Sequence, residues 1–167
     1  MAAALPMWEW PMWVIAVVNC LFIPVMHFAV SVVLTRLPRK WFQPNHFWYR
    51  ERTWEQGGRF YERFWGIRRW KSLIPDAAPW VRGFEKRNLQ SADSDYLRTF
   101  IQETCRSELA HWLQIPAICL CLLWNPWPAV GCFLIFYSFF SNLPCILLQR
   151  FTRLRLRRLL QKSLAES

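Results

Sequence analysis

The feature that most constrains this chain is where its charges are missing. From Leu109 to Gln149 there is no Lys, Arg, Asp or Glu, and before Arg36 the only charged side chain is Glu9. All 21 Lys and Arg fall in two blocks, fifteen from Arg36 to Arg106 and six from Arg150 to Lys162. About 20 consecutive apolar residues cross the hydrocarbon of a bilayer, so uncharged runs of this length read as membrane spans. Three are expected, at residues 12–34, 109–124 and 128–148. The positive-inside rule then puts both basic blocks in the cytoplasm and the N-terminus outside. Asn125-Pro126-Trp127-Pro128 becomes the outer turn, because its prolines stop helices and its Trp suits the headgroup level. The fold class that follows is an all-α membrane protein of one domain over 1–167, with about three transmembrane helices plus interfacial amphipathic helices. It is expected in the cell membrane, with a cytoplasmic interfacial region at 35–108 and a basic tail at 149–167.

Met1–Leu34 has no basic n-region and no Ala-x-Ala-like site after its apolar run, so it reads as a retained span rather than a cleaved signal. Of the six cysteines, five (Cys20, Cys119, Cys121, Cys132 and Cys145) fall in the expected spans, where thiols act as small apolar residues. The sixth is Cys105, no zinc spacing is present, and no disulfide is expected.

Between the first two spans, basic residues recur too often for a further crossing. Trp54, Phe60, Tyr61, Phe64, Trp65 and Trp70 alternate with arginines and Lys71, a pattern of short helices lying on a membrane surface, with Gly57-Gly58 dividing two of them. Pro75-Asp76-Ala77-Ala78-Pro79 reads as a loop. The second span is short and contains Pro116. It is either re-entrant or the continuation of a preceding helix, and continuation is favoured. Ser94 can cap that helix, and Leu97, Phe100, Ile101, Thr104, Glu108 and His111 share one stripe along it. Pro116 is expected to kink it. The tail 150–162 reads as a separate basic surface helix. Arginine interleaved with aromatics also suits nucleic acid. In a chain held by several spans, however, anionic lipid is the expected partner and nucleic acid is not.

Polar groups inside or at the edge of spans are costly, and are therefore the first functional candidates. They are Asn19, His27, Glu108, His111, Gln114 and Asn142. Glu108 and His111 stand i, i+3 on one helix face. A carboxylate beside an imidazole supports proton abstraction, so His111 is a candidate general base with Glu108 as its orienting carboxylate. The plainer reading pairs Glu108 with Arg98 or Arg106 and leaves His111 at the interface. Asn142 is a candidate hydrogen-bond donor to an oxyanion. A single Glu-x-x-His and three histidines in all are too few ligands for a di-iron or oxygenase centre, so no metal is expected.

Several separated blocks carry a family likeness. They are Thr35-Arg36-Leu37-Pro38 with Phe42; Glu55, Gly58, Phe60, Arg68, Trp70, Lys71 and Asp76; Arg87, Leu89, Asp95, Glu103-Thr104, Arg106, Glu108-Leu109 and His111-Trp112; and Phe136-Tyr137, Asn142-Leu143-Pro144, Gln149-Arg150, Arg153, Arg155 and Leu156. In order and spacing the chain resembles the glycosyl-4,4'-diaponeurosporenoate acyltransferase family of staphyloxanthin-type carotenoid biosynthesis, over Thr35 to Leu160. The resemblance implies O-acyl transfer from a thioester, on coenzyme A or a carrier protein, to a sugar hydroxyl of a glycosylated carotenoid or similar glycolipid. No further cofactor is implied. Arg68, Lys71, Arg106 and Arg150 are the candidates for holding the donor's phosphates, with Trp70, Trp112 and Gln149 completing the substrate-binding set. Gly57 stands where the family pattern leads us to expect a histidine, and the outer turn at 125–128 is this sequence's own. The rival from another class is a non-catalytic lipid-binding or partner subunit.

Overall fold

The computed structural model describes residues 9–74, 83–86 and 89–165. Within them the chain is helical, with no strand. The expected loop 75–79 and the matched positions Asp76 and Arg87 lie outside the described residues.

Three long helices carry the fold: α1 (Met12–Arg36), α4 (Ser94–Cys119) and α5 (Pro128–Ala165). Two short ones, α2 (Arg59–Trp65) and α3 (Ile67–Trp70), lie between α1 and α4. As expected, one helix runs from the basic region through Leu109, with Pro116 inside it and a 3₁₀ turn at Leu120–Leu123 beyond it. Its cap sits one residue earlier than the sequence suggested. The Asp93 carboxylate accepts from the Asp95 and Tyr96 amides at 3.0 and 3.2 Å, which satisfies two otherwise orphan donors.

One expectation is corrected. The apolar run 128–148 and the basic tail are one 38-residue helix rather than two elements. A change from apolar to charged residues does not end a helix, and Gln149–Lys162 contains neither Gly nor Pro and is rich in Leu and Arg. At 1.5 Å per residue α5 is about 57 Å long, nearly twice the hydrocarbon thickness. Among the described residues two helices, α1 and α5, are long and apolar enough to cross a membrane. The N-terminal half of α4 carries Asp95, Arg98, Glu103, Arg106 and Glu108, leaving only Leu109–Cys119 of it free of charge.

The outward faces are apolar. Trp13, Val17, Leu21, Val25 and Phe28 of α1 and Phe133, Phe136 and Phe140 of α5 are exposed. Soluble monomers rarely leave contiguous apolar patches of that extent uncovered. The end of the bundle away from the basic blocks is tied at the turn that links α4 to α5. Asn19 and Asn125 exchange two 3.0 Å hydrogen bonds, and the Trp124 indole donates to Asn19 Oδ1 at 2.8 Å. Asn19 thus ties α1 to the turn at Trp124 and Asn125, as polar groups between helices do.

At the basic end, short elements fold back onto α4 and α5. Gln56, Gly57 and Gly58 take positive φ (49°, 62° and 95°), which turns the chain into α2, so the expected glycine division is present. Tyr61 and Ile67 pack on Phe151 and Leu154, while Phe42 and Tyr49 join Leu34 and Cys105. Leu97, Phe100 and Ile101 of α4 meet Leu156 of α5.

Candidate active site

Where the basic end meets the apolar bundle, α4, α5 and the 47–61 segment converge on a buried ionic network. Glu108 is 2% exposed. Its Oε1 accepts from Arg150 Nη1 at 3.0 Å and its Oε2 from Arg153 Nη2 at 2.6 Å. Arg150 also donates to both oxygens of Glu55, at 2.9 and 3.0 Å, and to the carbonyls of Trp48 and Arg50. Tyr61 donates to Glu55 Oε1 at 2.5 Å. Two carboxylates and two guanidiniums therefore balance in charge, as burial of ions requires. Burial by itself raises the Glu55 carboxyl, but the Arg150 and Tyr61 hydrogen bonds, the Arg52 amide and the Arg150 charge bring it below the ordinary carboxylate value. Burial, with help from the Cys105 and Glu108 charges, pushes the Tyr49 phenol up to about 12, so it stays neutral beneath Arg153.

In this arrangement three of the candidate residues are engaged by other partners. Glu108 makes no hydrogen bond to His111; its oxygens face α5, whose arginines lie 42 and 45 residues away in sequence. Arg150, expected to hold donor phosphates, directs its N–H groups to two carboxylates, a phenol and two backbone carbonyls. Arg106 is committed in the same way, to Glu103 at 2.7 Å, to the Leu37 carbonyl at 2.8 Å and to the Phe42 ring. Glu55, Tyr61 and Arg153 were not among the candidates. The available signal was a Glu and an Arg inside the matched blocks, in surroundings otherwise read as surface.

One turn along α4, His111 Nδ1 lies 2.9 Å from Asn142 Oδ1. Asn142 is fully buried, and its Nδ2 donates to the Ser138 carbonyl at 2.9 Å and to Ser141 Oγ at 3.2 Å. With the amide nitrogen so engaged, the oxygen faces the imidazole and can only accept. His111 therefore carries its proton on Nδ1 and presents the Nε2 lone pair. Asn142 thus meets the imidazole as an acceptor, while its Nδ2 is taken up by Ser138 and Ser141. An asparagine serves a histidine in this way in papain-like Cys-His-Asn sites. Gln114 lies next to this pair. Its Nε2 donates to the His27 carbonyl and to Ser31 Oγ, both at 3.2 Å, which ties α1 to α4 beneath the imidazole.

The remaining candidates spread along the basic side. Trp112 is half exposed, with its indole 3.4 Å from Glu108 Oε1. Trp70 donates to the Trp65 carbonyl at 2.8 Å. Arg68 lies 3.7 Å from Glu62 and lines one cavity, while Lys71 and Gln149 line another. All six cysteines are free, and among the described residues no group of three His, Cys, Asp or Glu is placed to hold a metal ion.

Residues 38–162 match the family described as glycosyl-4,4'-diaponeurosporenoate acyltransferase, CrtO. Proteins of that name from Staphylococcus aureus strains bovine RF122 / ET3-1 and MRSA252 are each 33% identical over 139 residues, covering 82% of this chain and 82% of theirs. The protein of that name from strain USA300 is 31% identical over the same length and coverage. No solved structure matches.

Proposed function

Because the chain belongs to the glycosyl-4,4'-diaponeurosporenoate acyltransferase family, we propose that it is a membrane-embedded acyltransferase that moves a fatty acyl chain from a thioester to a sugar hydroxyl of a glycosylated carotenoid or similar glycolipid. The observation that carries the mechanism is the 2.9 Å contact between His111 Nδ1 and Asn142 Oδ1, with the asparagine amide locked by Ser138 and Ser141. It leaves Nε2 as the base. Nε2 takes the hydroxyl proton as the sugar oxygen attacks the thioester carbonyl. The C–S bond then breaks, and the departing thiolate takes the same proton back, so an ester and a thiol are formed. Asn142 holds the ring in the one tautomer and orientation that this needs.

The bilayer assigns each substrate its side. In this reading α1, the apolar end of α4 and the first half of α5 cross or enter the membrane, with the N-terminus outside. The exposed apolar faces of α1 and α5 offer a hydrophobic acceptor a lipid-facing path. The two basic blocks then meet a cytoplasmic donor. The buried ionic network is the clamp that fixes the 47–61 segment against α4 and α5 directly below the base. Purified protein given a radiolabelled acyl thioester and a glycolipid acceptor tests the reading: labelled glycolipid ester is expected, and its absence favours a lipid-binding subunit.

A further inference from the structure

Two cavities adjoin on the cytoplasmic part of α5. The first, about 510 Å³, is walled by Arg59, Arg63 and Arg68 from α2 and α3 and by Arg155 and Arg158 from α5. Glu62 is the one carboxylate among its lining residues. The second, about 370 Å³, shares Arg155 and Phe151 with the first and follows α5 from Leu159 to Leu148. Lys71, Lys86 and Gln149 form its polar side; Phe100, Leu148 and Leu156 form its apolar side.

Five guanidiniums against one carboxylate in a single concavity repel each other, and a bound polyanion removes that cost. The wall is also built. Arg158 donates to the Gln56 and Gly57 carbonyls. Gly57 sits at φ +62°, where a Cβ would collide with the Arg158 guanidinium, so a bare backbone is what lets that arginine lie in the wall. The Arg63 and Arg155 guanidiniums rest over Phe64 and Phe151, which places aromatic faces beside the cationic groups. Arginine forks suit phosphate, and aromatic faces suit a base.

Position selects the source of the phosphate. The charge-free run ends at Gln149, so Arg155 and Arg158 lie about 9 and 14 Å further along α5. That is beyond the roughly 5–8 Å depth of the headgroup layer, so a lipid headgroup would have to leave the bilayer to reach them. In the other direction the second cavity ends at Leu148, about 9 Å along α5 from Asn142. From Arg155 to Asn142 is about 20 Å along α5, a distance suited to an extended linker between phosphates and a reacting thioester.

We propose that the arginine cavity seats the phosphate-rich head of a nucleotide-type thioester of the coenzyme A class, and that the adjoining cavity carries its linker to His111. This rests on the acyl-transfer reading above. The test is calorimetric titration of coenzyme A into the full-length protein in neutral phosphatidylcholine nanodiscs, which needs no turnover. Binding is expected, with competition by adenosine 3′,5′-bisphosphate and none by pantetheine. Charge-assisted contacts partly open to solvent are worth about tenfold in affinity each. The Arg63→Ala/Arg68→Ala protein should therefore bind about 100-fold more weakly, while Lys40→Ala, an exposed lysine outside both cavities, binds as wild type. Absent coenzyme A binding, or binding unchanged in the double variant, overturns the proposal. So does loss of binding when phosphatidylglycerol is added to the nanodisc, which assigns the cavity to a lipid headgroup. So does use of an acyl carrier protein donor by a protein that does not bind coenzyme A. Arginine-dependent binding without any acyl transfer would keep this site and remove the acyl-transfer reading instead.

Discussion

Glu108→Gln separates a structural carboxylate from a catalytic one. The wild-type oxygens hold Arg150 at 3.0 Å and Arg153 at 2.6 Å. Arg150 loses little in the variant, because both Glu55 oxygens and two carbonyls still accept from it. Arg153 loses its one ion-pair partner among the described residues. It is 1% exposed, and its Nε and Nη1 have no hydrogen-bond partner among the described residues. Leaving such a charge buried and unpaired costs about 3–5 kcal/mol. At about 2–4 °C per kcal/mol for a chain of this size, Tm should fall by about 6–20 °C. Cys105 and Cys121 are fully buried, so a thiol-reactive dye reports the transition once the exposed Cys20 and Cys132 have been replaced by Ala. Adding Arg153→Met, which removes the orphaned charge, should restore most of the loss. An unchanged Tm together with a large fall in kcat would refute this reasoning and return Glu108 to the role of His111's partner.

Other consequences follow from the same contacts. Asn142→Leu removes the acceptor that sets the His111 tautomer, so kcat should fall about 100-fold or more with both substrate KM values held, as wrong-tautomer variants of catalytic triads do; a KM effect alone would contradict it. The Glu55 carboxyl is depressed in the folded state, so its stabilisation is complete above the ordinary Glu pKa of about 4.3 and is lost as pH falls through the lower folded value. Thermal melts from pH 6 downward should show that loss, and Glu55→Gln should already be destabilised at neutral pH and should not show it. Asn19→Leu deletes three hydrogen bonds at the outer turn and should cost about 1–2 kcal/mol in detergent without changing donor or acceptor KM.

The parts of the fold readable from sequence are those written in local pattern. Charge-free runs located α1 and the first half of α5, and the stripe from Leu97 to His111 located α4 as one helix through Leu109. The end of α5 was misread because a switch to basic residues marks a membrane boundary and carries no backbone signal. The site was half legible for a related reason. His111 and Asn142 stand out as polar groups in apolar runs, but nothing local says that they meet across 31 residues. Glu108 and His111 do share a helix face, yet the arginines of α5 outcompete the imidazole for the carboxylate, since each brings a full positive charge to it where a neutral imidazole N–H brings none. Glu55 stands in a matched block, but its burial among surface arginines depends on Arg150 arriving from 95 residues away, which nothing local signals.

The central claim is that His111 Nε2 is the base of acyl transfer. The most direct measurement is turnover of labelled acyl thioester onto glycolipid by purified His111→Ala protein, with folding checked by its melt and elution profile. General-base catalysis is worth about 100- to 10,000-fold. The variant should therefore keep wild-type Tm within a few degrees and lose at least about 100-fold in kcat; a folded His111→Ala protein with near-normal turnover would contradict the account.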